Sequence, residues 1–184
     1  MKTLKTLTLL LIVLIFASCQ PSKDKVVRDI TEKEKTIYSG TNPIPDKTKV
    51  EELITLYKKF AEEFSDDSLA PEYLYKGATL LMNSEQNDEA INLLDRIFKD
   101  YPSFNKLPEA LFLKAFIYEN NIKNINKARE AYKDFLNKYP DSDLADDAKI
   151  SLENLGKTPE QIIKEFEQKM KQQEDSLAAA TAKK

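Results

Sequence analysis

Few residues in this chain could carry covalent chemistry. Its 184 residues include one cysteine, Cys19, and no histidine or tryptophan. A thiolate is the soft nucleophile of a protein, and it needs a base or a lowered pKa to act. No imidazole is present to serve as that base, and no serine lies in a Gly-x-Ser-x-Gly turn. A metal site would have to be built from carboxylates alone, without the nitrogen and sulfur ligands that transition metals favour. Adjacent acids do occur, as in Glu62/Glu63 and Asp146/Asp147. A glycosidase works with two carboxylates, but neighbouring acids on a helix ordinarily form its solvated face. Three glycines leave no material for a phosphate-cradling loop, and a net charge of −3 offers no basic surface for nucleic acid. The expectation is a protein that is no enzyme, with no catalytic residues, metal or cofactor, no small-molecule substrate and no nucleic acid partner.

The surroundings of Cys19 point to a different chemistry. Lys2 and Lys5 precede an apolar run from Leu7 to Ala17 that only Thr8 interrupts. That run is too short to cross a bilayer, which takes about 20 residues, and it has the form of a secretion signal. Phe16-Ala17-Ser18-Cys19 resembles the lipobox of bacterial lipoproteins, with small residues at the two positions before the cysteine and Phe16 where leucine is usual. The resemblance implies removal of residues 1–18 and lipid attachment at Cys19, acyl chains such as palmitate anchoring the chain to a membrane. An ordinary secretory signal fits less well, because bulky Phe16 would stand where a small residue is wanted. With one cysteine no intramolecular disulfide can form, so the fold must stand on its own core.

Positioning falls to helices. Residues 19–25 read as a polar tether, and Val26, Val27, Ile30 and Ile37 predict a helix from about 25 to 38. Gly40, Pro43 and Pro45 interrupt it. From Lys47 to Asp175 the pattern is helical nearly throughout, and it repeats. Ala70-Pro71-Glu72-Tyr73-Leu74-Tyr75-Lys76-Gly77-Ala78 matches Leu107-Pro108-Glu109-Ala110-Leu111-Phe112-Leu113-Lys114-Ala115, thirty-seven residues further on. Each proline falls in a first helical turn, where its missing N–H costs nothing. Tyr57…Phe60…Phe64, Leu94…Ile97…Tyr101 and Tyr132…Phe135…Tyr139 form a second recurring element. Its apolar residues lie three and four apart and so share one helix face.

These units resemble tetratricopeptide repeats. The pattern of that family falls on Leu74, Ala78, Leu81, Ala90, Leu94 and Pro102, and again on Leu111, Ala115, Tyr118, Ala128, Tyr132 and Pro140. Ala115 and Ala128 stand one residue further apart than Ala78 and Ala90, which predicts a longer turn over Asn120–Asn124. The resemblance implies an all-α fold, a right-handed α-solenoid of antiparallel helix hairpins with about seven or eight helices. The expected organisation is a signal (1–18), a tether (19–25) and a degenerate hairpin (26–67). Repeats at 68–103 and 104–141 follow, then a capping hairpin (142–174) and a disordered tail (175–184). Thr158-Pro159-Glu160-Gln161 is a capping box. It should open a last helix with Ile162, Ile163, Phe166 and Met170 on one face.

In such arrays the first helix of each hairpin lines a concave face. By the family's register that face takes Glu72, Tyr75, Thr79, Met82 and Asn83 in one unit, and Glu109, Phe112, Phe116, Glu119 and Asn120 in the next. Tyr75, Phe112 and Phe116 could seat an apolar peptide, or they could pack as core. The overall pattern is similar to small outer-membrane repeat lipoproteins of Bacteroidota, and in general type to the BamD-type subunit of the outer-membrane barrel assembly machine. It implies a membrane-tethered protein-binding module at the outer membrane facing the periplasm. The alternative is a structural subunit of an envelope machine, for barrel assembly or for cell-wall coordination of the Tol-Pal kind. The protein partner is unnamed by the sequence.

Overall fold

The computed structural model describes residues 22–39 and 45–181, the side chains of 177–181 excepted. The signal, Cys19 and most of the tether lie outside the described residues, as does the Gly40 to Ile44 break.

Among the described residues the chain is all-helical, with eight α-helices. They are α1 (Lys23–Tyr38), α2 (Lys47–Glu63), α3 (Leu69–Asn83), α4 (Asn87–Asp100), α5 (Leu107–Phe116), α6 (Ile125–Lys138), α7 (Ala145–Asn154) and α8 (Pro159–Thr181). A π-helical turn, Ile117–Asn121, continues α5. The described residues fall into two compact units that divide between Gln86 and Asn87.

In the first unit α1, α2 and α3 pack in succession. Asp46 caps α2, its carboxylate accepting from Thr48 N–H at 2.9 Å and Lys49 N–H at 3.3 Å. Asp67 does the same for the start of α3 through Leu69 N–H at 2.9 Å. The buried stripe of α2 is Val50, Leu53, Ile54, Tyr57, Phe60 and Ala61, the spacing of one helix face. Tyr73 of α3 fits between two of its rings, stacked on Tyr57 at 5.2 Å and edge-on to Phe60 at 4.8 Å. Val26, Ile30 and Ile37 bury the inner side of α1. Helix α1 starts at Lys23, so the last residues of the expected tether are helical.

In the second unit α4, α5, α6 and α7 pack in succession. Leu111, Ala115, Ala128, Tyr132, Phe135, Ala145, Ala148 and Leu155 form one core. Ala115, Ala128 and Ala148 are fully covered, and small residues at such points let backbones approach. Asn124 caps α6 through Lys127 N–H at 3.0 Å. At α8 the capping box closes reciprocally, Thr158 N–H to Gln161 Oε1 at 2.8 Å and Gln161 N–H to Thr158 Oγ1 at 3.3 Å. The helix then runs to Thr181, into the stretch expected to be disordered. Ala178, Ala179 and Ala180 are strong helix formers and prolong it.

The extra residue of the second repeat is not in its turn. Three residues join α3 to α4, and three join the π-turn to α6. The surplus sits inside the helix, where Ile122 N–H bonds the Ile117 carbonyl at 2.9 Å. After α3, Glu85 takes a left-handed φ of 62° and Gln86 N–H closes on the Leu81 carbonyl at 2.9 Å, a Schellman closure. Lys123 holds φ 60° at the equivalent place, and Asn124 N–H closes on the Tyr118 carbonyl at 2.8 Å. Leu81 matches Tyr118, and Gln86 matches Asn124, so the same closure is widened by one residue. A π-turn is how a helix takes in an insertion without breaking its ladder.

Candidate functional site

The candidate face of the second unit runs along α5 and its π-turn. Phe112, Phe116 and Asn120 follow at four-residue intervals, which sets them on one side of a helix. Their surroundings differ. Phe112 is half-buried, its ring edge-on to Tyr132 at 5.7 Å and to Phe135 at 5.8 Å. Phe116, one turn on, is 39% exposed. Asn120 is exposed, and its side-chain amide donates to the Phe116 carbonyl at 3.3 Å. Glu119 turns inward, and its Oε2 accepts from the Tyr132 hydroxyl at 2.7 Å.

In the first unit Tyr75, Thr79 and Asn83 are the repeat equivalents of Phe112, Phe116 and Asn120. Tyr75, Thr79 and Met82 are half-buried and Asn83 is exposed. The Thr79 hydroxyl donates to the Tyr75 carbonyl at 3.1 Å. Each unit thus carries its own short strip: one aromatic, one mid-size side chain or ring, and one asparagine at the end.

Each unit also holds a feature that the sequence reading missed. In the first unit Glu34 Oε1 accepts from the Tyr57 hydroxyl at 2.6 Å and from Lys76 Nζ at 2.7 Å. Burial, and then the hydrogen bond to Glu34, push the Tyr57 phenol far above the ordinary tyrosine range. The same two causes, now with Glu119, push Tyr132 up, with Ser151 of α7 pulling weakly the other way. Tyr57 and Tyr132 occupy equivalent positions, where the repeat between them has Leu94. The signal was therefore available: a phenol in a buried stripe must find an acceptor, and in both units a glutamate supplies it. These glutamates are engaged by donors, so they serve as anchors for a helix pair.

The adjacent carboxylates sit in ordinary helix environments, each pair with one member beside a lysine. Glu62 is exposed and Glu63 lies 3.8 Å from Lys59 Nζ, while Asp146 pairs with Lys149 at 3.0 Å beside exposed Asp147. Among the described residues no cluster of acids could hold a metal ion, and no helix is long and apolar enough to cross a membrane.

Helix pairs of this kind, with alanine at the close approaches and proline at the ends, define the class. Residues 72–103 and 109–142 match the tetratricopeptide repeat family, so the all-helical chain carries these repeats on the segments where the sequence pattern is strongest. Over 168 residues the chain is similar, at 26% identity, to the outer membrane protein assembly factor BamD of Rickettsia prowazekii (strain Madrid E). The alignment covers 83% of this chain and 63% of that relative. The chain thus spans less than two thirds of the length of the curated relative it matches.

Proposed function

We propose that the chain is a non-catalytic protein–protein interaction module, tethered to the outer membrane by lipid on Cys19 and facing the periplasm. Each unit offers its own candidate strip: Phe116 and Asn120 are the most accessible contacts of the second unit, backed by Phe112, and Tyr75, Thr79, Met82 and Asn83 make up that of the first. The observation that carries this reading is Phe116, a large ring left 39% exposed on a repeat helix whose neighbouring ring, Phe112, is packed on the core. Exposed aromatics beside a rigid, buried layer are what a peptide-binding surface needs.

The likeness to BamD favours a more specific version, in which the chain is a structural subunit of an outer-membrane protein assembly machine. The lipobox reading of residues 16–19 agrees with it. A photoreactive residue in place of Phe116, in the full chain in intact cells, tests both. One captured partner, lost on conversion of Cys19 to Ala, supports a membrane-bound module, and a partner belonging to outer-membrane assembly supports the specific version. Capture unchanged by Cys19→Ala refutes the tether. No capture from any position of the strip in a folded protein refutes the binding face.

A further inference from the structure

Helix α8 exposes the apolar face that its sequence announces. Ile163 is 58% exposed, Phe166 63% and Met170 42%. No other described helix packs extensively against α8, and its ion pair with the preceding loop, Lys157 to Glu165 at 2.6 Å, lies at its first turns. Residues 163, 166, 170 and 173 are separated by three, four and three. That is the a/d spacing of a coiled-coil seam, narrower than the face of a helix meant for a globular core. The sequence continues the register at Leu177.

We propose that this seam is covered by α8 of a second copy of the chain, as a parallel two-stranded coiled coil. The charges flanking the seam select that occupant. With Ile163 and Met170 at a and Phe166 at d, Lys169 falls at g and Glu167 and Glu174 fall at e. In a parallel pair each g residue meets the e residue five places on in the partner helix. Lys169 of each copy therefore faces Glu174 of the other, twice in the symmetric dimer. An antiparallel pair instead sets e against e and g against g, bringing glutamates together. Ile163 at an a position suits two strands, and Gln173 at d makes that layer of the seam polar. Lys164, Lys169 and Lys171 alternate with Glu165, Glu167, Glu174 and Asp175, a mixture with no attraction to an anionic lipid surface. The seam is little more than two heptads long, so pairing is marginal in dilute protein and grows with concentration.

The test is sedimentation equilibrium of the full chain in detergent over a concentration series. A Cys19→Ser background leaves no native thiol. The weight-average mass rises from 21.1 kDa towards twice that value. Phe166→Glu holds it at the monomer with unchanged helix content, since Phe166 belongs to neither unit's core. Lys169→Glu and Glu174→Lys each weaken association about tenfold, and the two together restore it. A cysteine replacing Gln173 crosslinks to its own counterpart on mild oxidation. A monomer at every concentration, or a dimer that survives Phe166→Glu, overturns the proposal. Failure of the double exchange to restore binding, with no crosslink at 173, overturns the parallel arrangement.

Discussion

The Tyr132 hydroxyl donates to Glu119 Oε2 at 2.7 Å, tying α6 to the π-turn that follows α5. The bond spans the turn between the two helices and closes their hairpin from within. Removing the hydroxyl leaves a half-buried carboxylate without its donor. Tyr132→Phe should lower stability by about 1–2 kcal/mol, read from urea unfolding. Glu119→Gln keeps an acceptor and should lower it less.

The same phenols set the alkaline limit of the fold. Tyr57 and Tyr132 ionise far above the usual range when folded, whereas in the unfolded chain they ionise near pH ~10. Below that pH their contribution is constant. Above it the unfolded state sheds protons that the folded state keeps, and stability falls. Circular dichroism should show unfolding that sets in above pH ~10, with a flatter pH dependence in the Tyr57→Phe/Tyr132→Phe double variant. A stability independent of pH through that window would contradict the buried phenols.

Phe112 and Phe116 should part company on truncation. Phe112→Ala removes a ring packed on Tyr132 and Phe135 and should cost about 2–3 kcal/mol. Phe116→Ala should stay within about 0.5 kcal/mol, as surface changes do. Thermal melts of the two variants separate a packing residue from a surface one before any partner is known.

Two turns offer opposite glycine exchanges. Lys123 holds φ 60°, where a side chain is strained, and Lys123→Gly should stabilise by about 1 kcal/mol. Gly156 holds φ 82°, and a Cβ there would meet only Ile125 Cγ2 at 3.6 Å. Space is therefore ample, and Gly156→Ala should destabilise by about 1 kcal/mol through the backbone alone.

At the start of α3, the Leu69 N–H and then Lys23 hold the Asp67 carboxyl below the usual carboxylate range. A depressed pKa contributes above the unfolded value, near ~4, and its contribution fades as pH falls through the folded one. Asp67→Ala should cost about 1 kcal/mol at neutral pH, with the difference from the parent shrinking in acid.

Much of this architecture could be read in advance from residue type and spacing. Pro71 and Pro108 opened helices where expected, and Tyr57, Phe60, Tyr132 and Phe135 are all fully buried. The box at Thr158 and Gln161 closes through both of its hydrogen bonds. What stayed hidden depends on contacts between helices. On paper Phe112 and Phe116 are the same residue one turn apart, and only the position of α6 makes one a packing ring. Glu34 lies 23 residues from Tyr57 and 42 from Lys76, beyond the reach of any periodicity. Counting residues revealed the insertion before α6, but the choice between a longer loop and a wider helix belongs to the carbonyl of Tyr118.

That choice bears on how such a chain can change over generations. A codon gained between Ala115 and Ala128 is absorbed within a single turn, because both flanking landmarks, the Tyr118 carbonyl and the Asn124 amide, still find each other. Within this chain the two repeats differ in length by one residue and still close between the same two landmarks. A one-residue gain there changes the local winding of a helix and leaves the closing pair of its turn in place.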